Sequence, residues 1–319
     1  FVIGVGFLYM ATGTLNMADL ADRIENQYDS RTVRAAFAFI MVGMGLKVAI
    51  FPLHLWLPNA YTYAPSAITS FLAATATKVA IYVMLRFLFS VFQPGFLAEV
   101  PTLDLILYPF AILAMFAASY TAILQRDLKR MLAYSSIGQV GYMLLGIALL
   151  SESGLMATMI HLFNHGITKA ALFMGVGVYV LNGGGSFYHN LRGRGKTMPW
   201  TSAAMVGAGL SLIGVPGTAG FLSKWLLVEA TLEQGLWPIA LLIVASSLLA
   251  VIYVWKLIET LYLAQPAEGL QDQNVPLMMM IPLWVMALAC IYFGFDTDIT
   301  LSAARSAAEG LLAGSAGMR

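Results

Sequence analysis

Charge is scarce in this sequence. Lysine, arginine, aspartate and glutamate make up 10% of its 319 residues, where a soluble domain carries roughly 25%. Hydrophobic residues make up 60%, and the mean hydropathy is +0.80. No soluble fold of this length hides so much apolar surface, so the bilayer is the natural solvent. Cysteine is scarcer still. Cys290 stands alone in an apolar run, which excludes an internal disulfide framework and any multi-cysteine iron–sulfur or zinc site. There is no basic tract to follow a nucleic acid, and a net charge of +1 favours no partner of either sign. Nucleotide loops, nucleophile arrangements and cofactor motifs are lacking too. The chain alone is therefore expected to carry out no bond chemistry and to hold no cofactor.

What is present is a series of apolar runs. A membrane helix needs about 20 mostly apolar residues. About nine stretches qualify, near 1–16, 33–57, 66–92, 103–124, 130–150, 155–181, 201–232, 237–263 and 276–294. The expected fold class is an all-α polytopic membrane protein with about nine transmembrane helices, two of them broken. The chain opens at Phe1 inside an apolar run, with no basic region before it and no small-residue cleavage site after it. That opening reads as the remainder of a membrane helix in an N-terminally truncated sequence. Residues 1–295 read as one transmembrane domain. The Ala-rich tail 296–319 reads as an amphipathic surface helix or a disordered end.

The loops carrying Arg126, Lys129 and Arg130, and Arg192, Arg194 and Lys196, fall on one side if the segments alternate. The intervening loops near 151–154 and 233–236 have no Lys or Arg. The first side is then the cytoplasmic one. The loop 17–32, with Arg23 and Arg31, falls opposite and runs against that assignment. Charges at a helix start, such as Asp127, Lys129 and Arg130, are expected to be solvated.

Two segments are interrupted. The first runs Ile50-Phe-Pro-Leu-His-Leu-Trp-Leu-Pro-Asn59, and the second Gly214-Val-Pro-Gly-Thr-Ala-Gly220. Proline removes a backbone donor and clashes with the preceding turn. Irregular backbone at membrane depth persists only where it is buried in protein or lines a wet cavity. Each broken segment has a lysine near the break (Lys47, Lys224), and each is followed by an unbroken segment with its own lysine (Lys78, Lys256). This is a faint echo of an internal repeat.

Lys47, Lys78 and Lys224 lie deep in apolar segments. A lysine at a helix centre costs about 2.5–3.5 kcal/mol on insertion scales. Three together cost roughly 8–10 kcal/mol, as much as the net stability of a domain. Such a cost is tolerated if the lysines face a hydrated interior, where burial lets a lysine exchange protons nearer neutral pH. The competing reading is snorkelling or a structural ion pair. For Lys256 the two readings balance, since Glu259 is one turn away. In His161-Leu-Phe-Asn-His-Gly-Ile-Thr-Lys169, the residues His161, His165 and Lys169 share one helical face at i, i+4 and i+8. This spacing suits a proton relay. A plain structural role is the alternative. A metal site is disfavoured because no glutamate follows the first histidine and no cysteine is near. His54 either extends the path or satisfies carbonyls freed by Pro52 and Pro58. Glu229 lies five residues past Lys224, about 140° round a regular helix, and is not expected to pair with it. Aromatic and methionine side chains read as filler.

Four stretches resemble a known superfamily: Gly45-Leu-Lys-Val-Ala-Ile-Phe-Pro-Leu-His-Leu-Trp-Leu-Pro58, Asp127-Leu-Lys-Arg-Met-Leu-Ala-Tyr-Ser-Ser-Ile-Gly-Gln-Val-Gly-Tyr142, the run from His161 to Phe173, and Gly214-Val-Pro-Gly-Thr-Ala-Gly-Phe-Leu-Ser-Lys-Trp225. It comprises the antiporter-like subunits of Mrp-type cation/proton antiporters, respiratory complex I and membrane-bound hydrogenases. Lys224 and the stretch Tyr61-Thr-Tyr-Ala-Pro65 look most like the D-type subunit of the Mrp antiporters. The distal membrane subunits of complex I share nearly all the motifs.

The resemblance implies a fold of about fourteen helices with two inverted five-helix repeats, this chain beginning in the sixth helix. It implies a relay of Lys47, Lys78, His161, His165, Lys169 and Lys224. Lys47 would pair with a glutamate two helices upstream, in the part expected to be missing. It implies partner membrane subunits, transported H⁺ with Na⁺ or K⁺ left open, and a bacterial inner (plasma) membrane. Three functions compete: a cation/proton antiporter subunit, a proton-pumping subunit of a redox complex, and a structural scaffold with idle lysines.

Overall fold

The computed structural model describes residues 1–100, 102–183, 185–265 and 275–313, with the backbone alone for 102–105. The helices in chain order are α1 (Val2–Thr12), α2 (Met17–Ile24), α3 (Arg31–Val48), α4 (Trp56–Tyr63), α5 (Ser66–Leu85), α6 (Gln93–Glu99), α7 (Thr102–Leu113) and α8 (Ser119–Leu124). They continue with α9 (Leu128–Ala148), α10 (Glu152–Leu181), α11 (Arg194–Thr197), α12 (Pro199–Ile213), α13 (Ala219–Glu233), α14 (Trp237–Ile258), α15 (Leu277–Phe295) and α16 (Asp298–Leu312). π-helical turns at Arg86–Phe92 and Ala114–Ala118 carry α5 into α6 and α7 into α8.

The protein is an all-α polytopic membrane protein. Among the described residues, five helices are long and apolar enough to cross a membrane: Ser66–Glu99, Ile106–Leu124, Leu128–Ala148, Trp237–Leu263 and Leu277–Phe295. Of the remaining expected segments, 33–57 is α3 and α4 flanking a break, and 201–232 is α12 and α13 flanking another. The segment 155–181 is the 30-residue α10. The segment 1–16 is only α1, which stops where Gly13 turns left-handed at φ 73°.

α10 is the axis of the bundle and packs against α5, α9, α12, α13, α15 and α16. Burial separates inner from outer helices. In α9, 94% of the apolar window is buried, against 17% in α15. A helix apolar all round can sit in either place, so hydropathy alone does not tell them apart.

The structure departs from expectation at three places. The charged loop 17–32 contains α2, an amphipathic helix. Asn16 caps it by accepting from the Ala18 and Asp19 amides at 3.0 and 3.4 Å, and Leu20, Ala21 and Ile24 are buried. Its Arg23 and Asp19 form an exposed i, i+4 pair at 2.8 Å, and that pair holds the Asp19 carboxyl below its ordinary range.

Asp127 and Lys129, expected to be solvated, are buried. The segment after α10 folds over the start of α9. The Leu128 amide donates to Ser186 O at 2.7 Å, Ser186 Oγ donates to Asp127 at 2.6 Å, and Lys129 Nζ donates to Ala64 O at 3.0 Å. Lys256 does not lean on Glu259. It caps the C-terminal end of α8, donating to the carbonyls of Ile123 and Gln125 at 2.9 and 2.8 Å.

The tail forms α16, which buries Ala304, Ala308 and Leu311 on one side. The part of the predicted tail at 314–319 lies outside the described residues.

Candidate functional site

The site begins with backbone. α3 ends in a Schellman closure: Ala49 is left-handed at φ 64°, and the Ile50 amide donates to Gly45 O at 2.9 Å. α12 ends the same way around Gly214 at φ 90°, with the Val215 amide donating to Leu210 O at 3.1 Å. Proline follows each (Pro52, Pro216), so the helix cannot resume at once. Each closure leaves carbonyls without a helical donor.

At the second break Lys224, on the first turns of α13, reaches back over Gly214. Its Nζ donates to Ile213 O at 2.8 Å and to Leu212 O at 3.2 Å. A Cβ at Gly214 would lie 3.2 Å from Lys224 Cδ. The glycine therefore serves the left-handed turn and the passing side chain together. At Gly220 a Cβ would collide with the Ser211 carbonyl oxygen, so α13 can approach α12 closely only as glycine permits.

From Lys224 the polar groups run along α10. The Lys224 ammonium lies 5.0 Å from the centroid of the Tyr142 ring on α9. The same ring lies 5.6 Å from His161. His161 Nδ1 shares a 2.8 Å hydrogen bond with Ser223 Oγ. The imidazoles of His161 and His165 lie 6.1 Å apart and nearly parallel, at 3°. Eight residues advance a helix by about 80°, so Lys169 is turned away from His161. It faces α9, where its Nζ donates to Leu132 O at 2.8 Å and to Ser135 Oγ. Lys78 on α5 donates to its own helix at Ala73 O. It lies against α10 at Gly166, where a Cβ would stand 4.0 Å from Lys78 Cε.

Lys78, Lys169, Lys224, His161 and His165 are all buried. His165 is within electrostatic reach of Lys78, Lys169 and Lys224. Among the described residues none of these lysines pairs with a carboxylate, and the ion pairs formed are on the exposed Arg23 and Arg34. His161 Nε2, both ring nitrogens of His165 and Asn164 Oδ1 are buried without a hydrogen-bond partner in the protein. Buried polar atoms of this kind are normally satisfied by water. Neighbouring bases of this kind are the groups a proton relay requires, and like charges packed together disfavour filling every site at once. Among the described residues no cluster of three His, Cys, Asp or Glu side chains is placed to hold a metal.

The profile of the family described as NADH:quinone oxidoreductase/Mrp antiporter, transmembrane, matches residues 1–250. The chain belongs to this family. It is 39% identical over 315 residues to the N-type subunit of the NADH-quinone oxidoreductase of Desulforudis audaxviator, covering 95% of this chain and 62% of the relative. It is 31% identical over 301 residues to the D-type subunit of the Na⁺/H⁺ antiporter of Alkalihalophilus pseudofirmus, covering 93% of this chain and 60% of the relative. The fold matches a chain of the Mrp complex from Dietzia sp. with a TM-score of 0.87 at 26% identity, over 98% of this chain and 65% of that one. The chain thus spans under two thirds of the length of these proteins.

Within this member of the antiporter-like family, the structure brings together five of the six residues expected in the relay. The sixth, Lys47, stands apart. It occupies the last turn of α3, one turn from the break, but its side chain is on the outer surface. Among the described residues it has no side-chain hydrogen bond. The Leu46 carbonyl, which accepts from the Ala49 amide at 3.2 Å, also accepts from Trp56 Nε1 at 2.8 Å. His54 stacks on Phe51 at 5.0 Å, and its Nδ1 is buried without a hydrogen-bond partner in the protein. Glu229 is exposed, away from Lys224.

Sequence reasoning misses Tyr142, Ser223, Asn164 and Ser135. All four lie within the quoted motifs, but a serine or asparagine in an apolar helix carries no sign of which neighbour it meets. Tyr142 is indistinguishable in the sequence from the other aromatics that read as filler.

Proposed function

We propose that this chain is the proton-translocating membrane subunit of a multi-subunit Mrp-type monovalent cation/proton antiporter, moving H⁺ along the buried Lys/His relay. The observation that carries the proposal is the row of five buried bases around α10, four of them held by carbonyls or hydroxyls, His165 without a partner in the protein, and none held by a carboxylate among the described residues. A lysine tied to a carbonyl gives up only a neutral acceptor when it releases its proton, so its charge is free to change. Lys78, His161, His165, Lys169 and Lys224 are the relay residues, and Lys47 is its outlying member. Residues 1–295 are the transmembrane domain and the tail from 296 is an accessory segment. Its partners are the other membrane subunits of such a complex, and its compartment is the bacterial inner (plasma) membrane.

A second reading has its own support. The 39% identity to an N-type subunit of a NADH-quinone oxidoreductase exceeds the 31% to a D-type antiporter subunit. On that reading the same relay is a proton pump in a redox complex. Subunits that co-purify with the protein separate the two. Companions with iron–sulfur cysteine motifs support the pump, and small membrane subunits alone support the antiporter.

The test common to both is proton flux in vesicles carrying the assembled complex with Lys78→Ala or Lys224→Ala. The expected outcome is loss of flux in each. Unchanged flux in both overturns the relay and leaves the scaffold reading.

A further inference from the structure

Tyr142 is the aromatic residue that the relay surrounds. It lies on α9, is almost wholly buried, and has three kinds of neighbour. The Lys224 ammonium sits 5.0 Å from its ring centroid, inside the range at which a ring face attracts a cation. The His161 ring lies 5.6 Å away. Its hydroxyl shares a 2.7 Å hydrogen bond with Ser246 Oγ and a longer one, 3.2 Å, with Ser247 Oγ, both on α14. Those serines are anchored in turn, each donating to Ile243 O at 3.0 Å.

The geometry fixes what the ring can do. Lys224 has two carbonyl acceptors at the second break and a ring beside them. Carbonyls and ring face all stabilise the ammonium, and nothing anionic does so among the described residues. A lysine has four rotatable bonds and would otherwise be free to swing toward His161. The ring neighbours both groups, and its hydroxyl ties it to α14.

We propose that Tyr142 is a positioning residue of the relay: its ring holds the Lys224 ammonium against the Leu212 and Ile213 carbonyls, and its hydroxyl ties that ring to Ser246 and Ser247 of α14. The proposal rests on the relay reading above and goes beyond it by making α14 the element that sets the Lys224 position. A displacement of α14 would move the ring and change how readily Lys224 reaches His161.

The experiment uses the full-length protein in its complex, reconstituted in vesicles, with proton flux as the readout and assembly checked for every variant. Four variants are compared: Tyr142→Leu, Tyr142→Phe, Lys224→Ala, and Tyr142→Leu combined with Lys224→Ala. Tyr142→Leu removes the ring face and lowers flux about tenfold, within the range of a desolvated cation–π contact. Tyr142→Phe keeps the ring and loses the anchor, so flux falls only about two- to threefold. In the Lys224→Ala background, Tyr142→Leu produces no further fall, because the two residues act through one contact. If Phe is as damaging as Leu, or if Tyr142→Leu lowers flux a further tenfold without Lys224, the assignment is overturned. Unchanged flux in Lys224→Ala alone overturns the relay reading and this inference with it. Loss in Lys224→Ala with normal flux in Tyr142→Leu overturns only this inference.

Discussion

The two breaks share a backbone device and differ in the side chain that closes it. Both α3 and α12 end in a Schellman turn followed by a proline, and both leave carbonyls at membrane depth. At the first break an indole N–H, Trp56 Nε1, takes the Leu46 carbonyl, and Lys47 projects outward. At the second an ammonium, Lys224, takes two carbonyls and turns inward to Tyr142 and His161. The first closure is thus made by a neutral, partly exposed aromatic side chain and the second by a buried basic one.

The largest expected effect follows from this difference. Lys224→Met keeps most of the stem but loses the ammonium, leaving two buried carbonyls unpaired. Each costs about 1–3 kcal/mol. Unfolding in detergent should therefore show a loss of roughly 2–6 kcal/mol, and proton flux should fall about a hundredfold, as expected when a positioned proton-transfer group is removed. A variant of normal stability would mean that the carbonyls at Leu212 and Ile213 have other donors.

Next in size is Gly214→Ala. The residue sits at φ 90°, and the added Cβ would stand 3.2 Å from Lys224 Cδ. Left-handed backbone costs a residue with a Cβ about 1–2 kcal/mol. The expected outcome is a destabilisation of that order together with reduced flux, because the methyl pushes the Lys224 stem aside. Loss of stability with unchanged flux would show that the position of the stem does not matter.

Ala49→Gly probes the matching position at the first break and should have the opposite sign. Ala49 already bears the left-handed strain, at φ 64°. Glycine removes that strain at the cost of a freer unfolded chain, so the net gain should be about 0.5–1 kcal/mol. A loss on thermal or denaturant unfolding would mean that the buried Ala49 methyl is worth more in packing than the strain it carries.

Much of this is legible in the residues. The breaks are marked by proline and glycine, whose backbone limits are local. The buried lysines stand out because their cost in an apolar run is large. The direction in which each side chain points is not legible. His161 and Lys169 share a face in a sequence count, yet the drift of a real helix sends one to Ser223 on α13 and the other to Ser135 on α9. Asp127 and Lys129 look solvated in the sequence because the residues that cover them, Ser186 and Ala64, are 59 and 65 positions away. Lys47 and Lys224 look equivalent because both adjoin a break. One precedes its break and one follows it, which is what decides whether the side chain can fold back onto the freed carbonyls. Cα–Cβ bonds tilt toward the N-terminus of a helix. From the start of α13 the Lys224 stem therefore points back at the end of α12, whereas from the end of α3 the Lys47 stem points away from the gap.

That polarity makes the smallest prediction the sharpest one for the comparison. Lys47→Met removes a charge that has no hydrogen-bonding partner among the described residues, so the stability of this chain in detergent should change by less than about 0.5 kcal/mol. The same substitution at Lys224 is expected to cost several times more. If the two replacements cost the same, side-chain direction is not what distinguishes the breaks, and the closure by Trp56 is not sufficient for the first. If Lys47→Met is silent in stability but lowers proton flux in the assembled complex, Lys47 acts only through groups outside this chain's own core. The relay would then be closed on one side by α12 and α13 and completed on the other by a partner that faces α3.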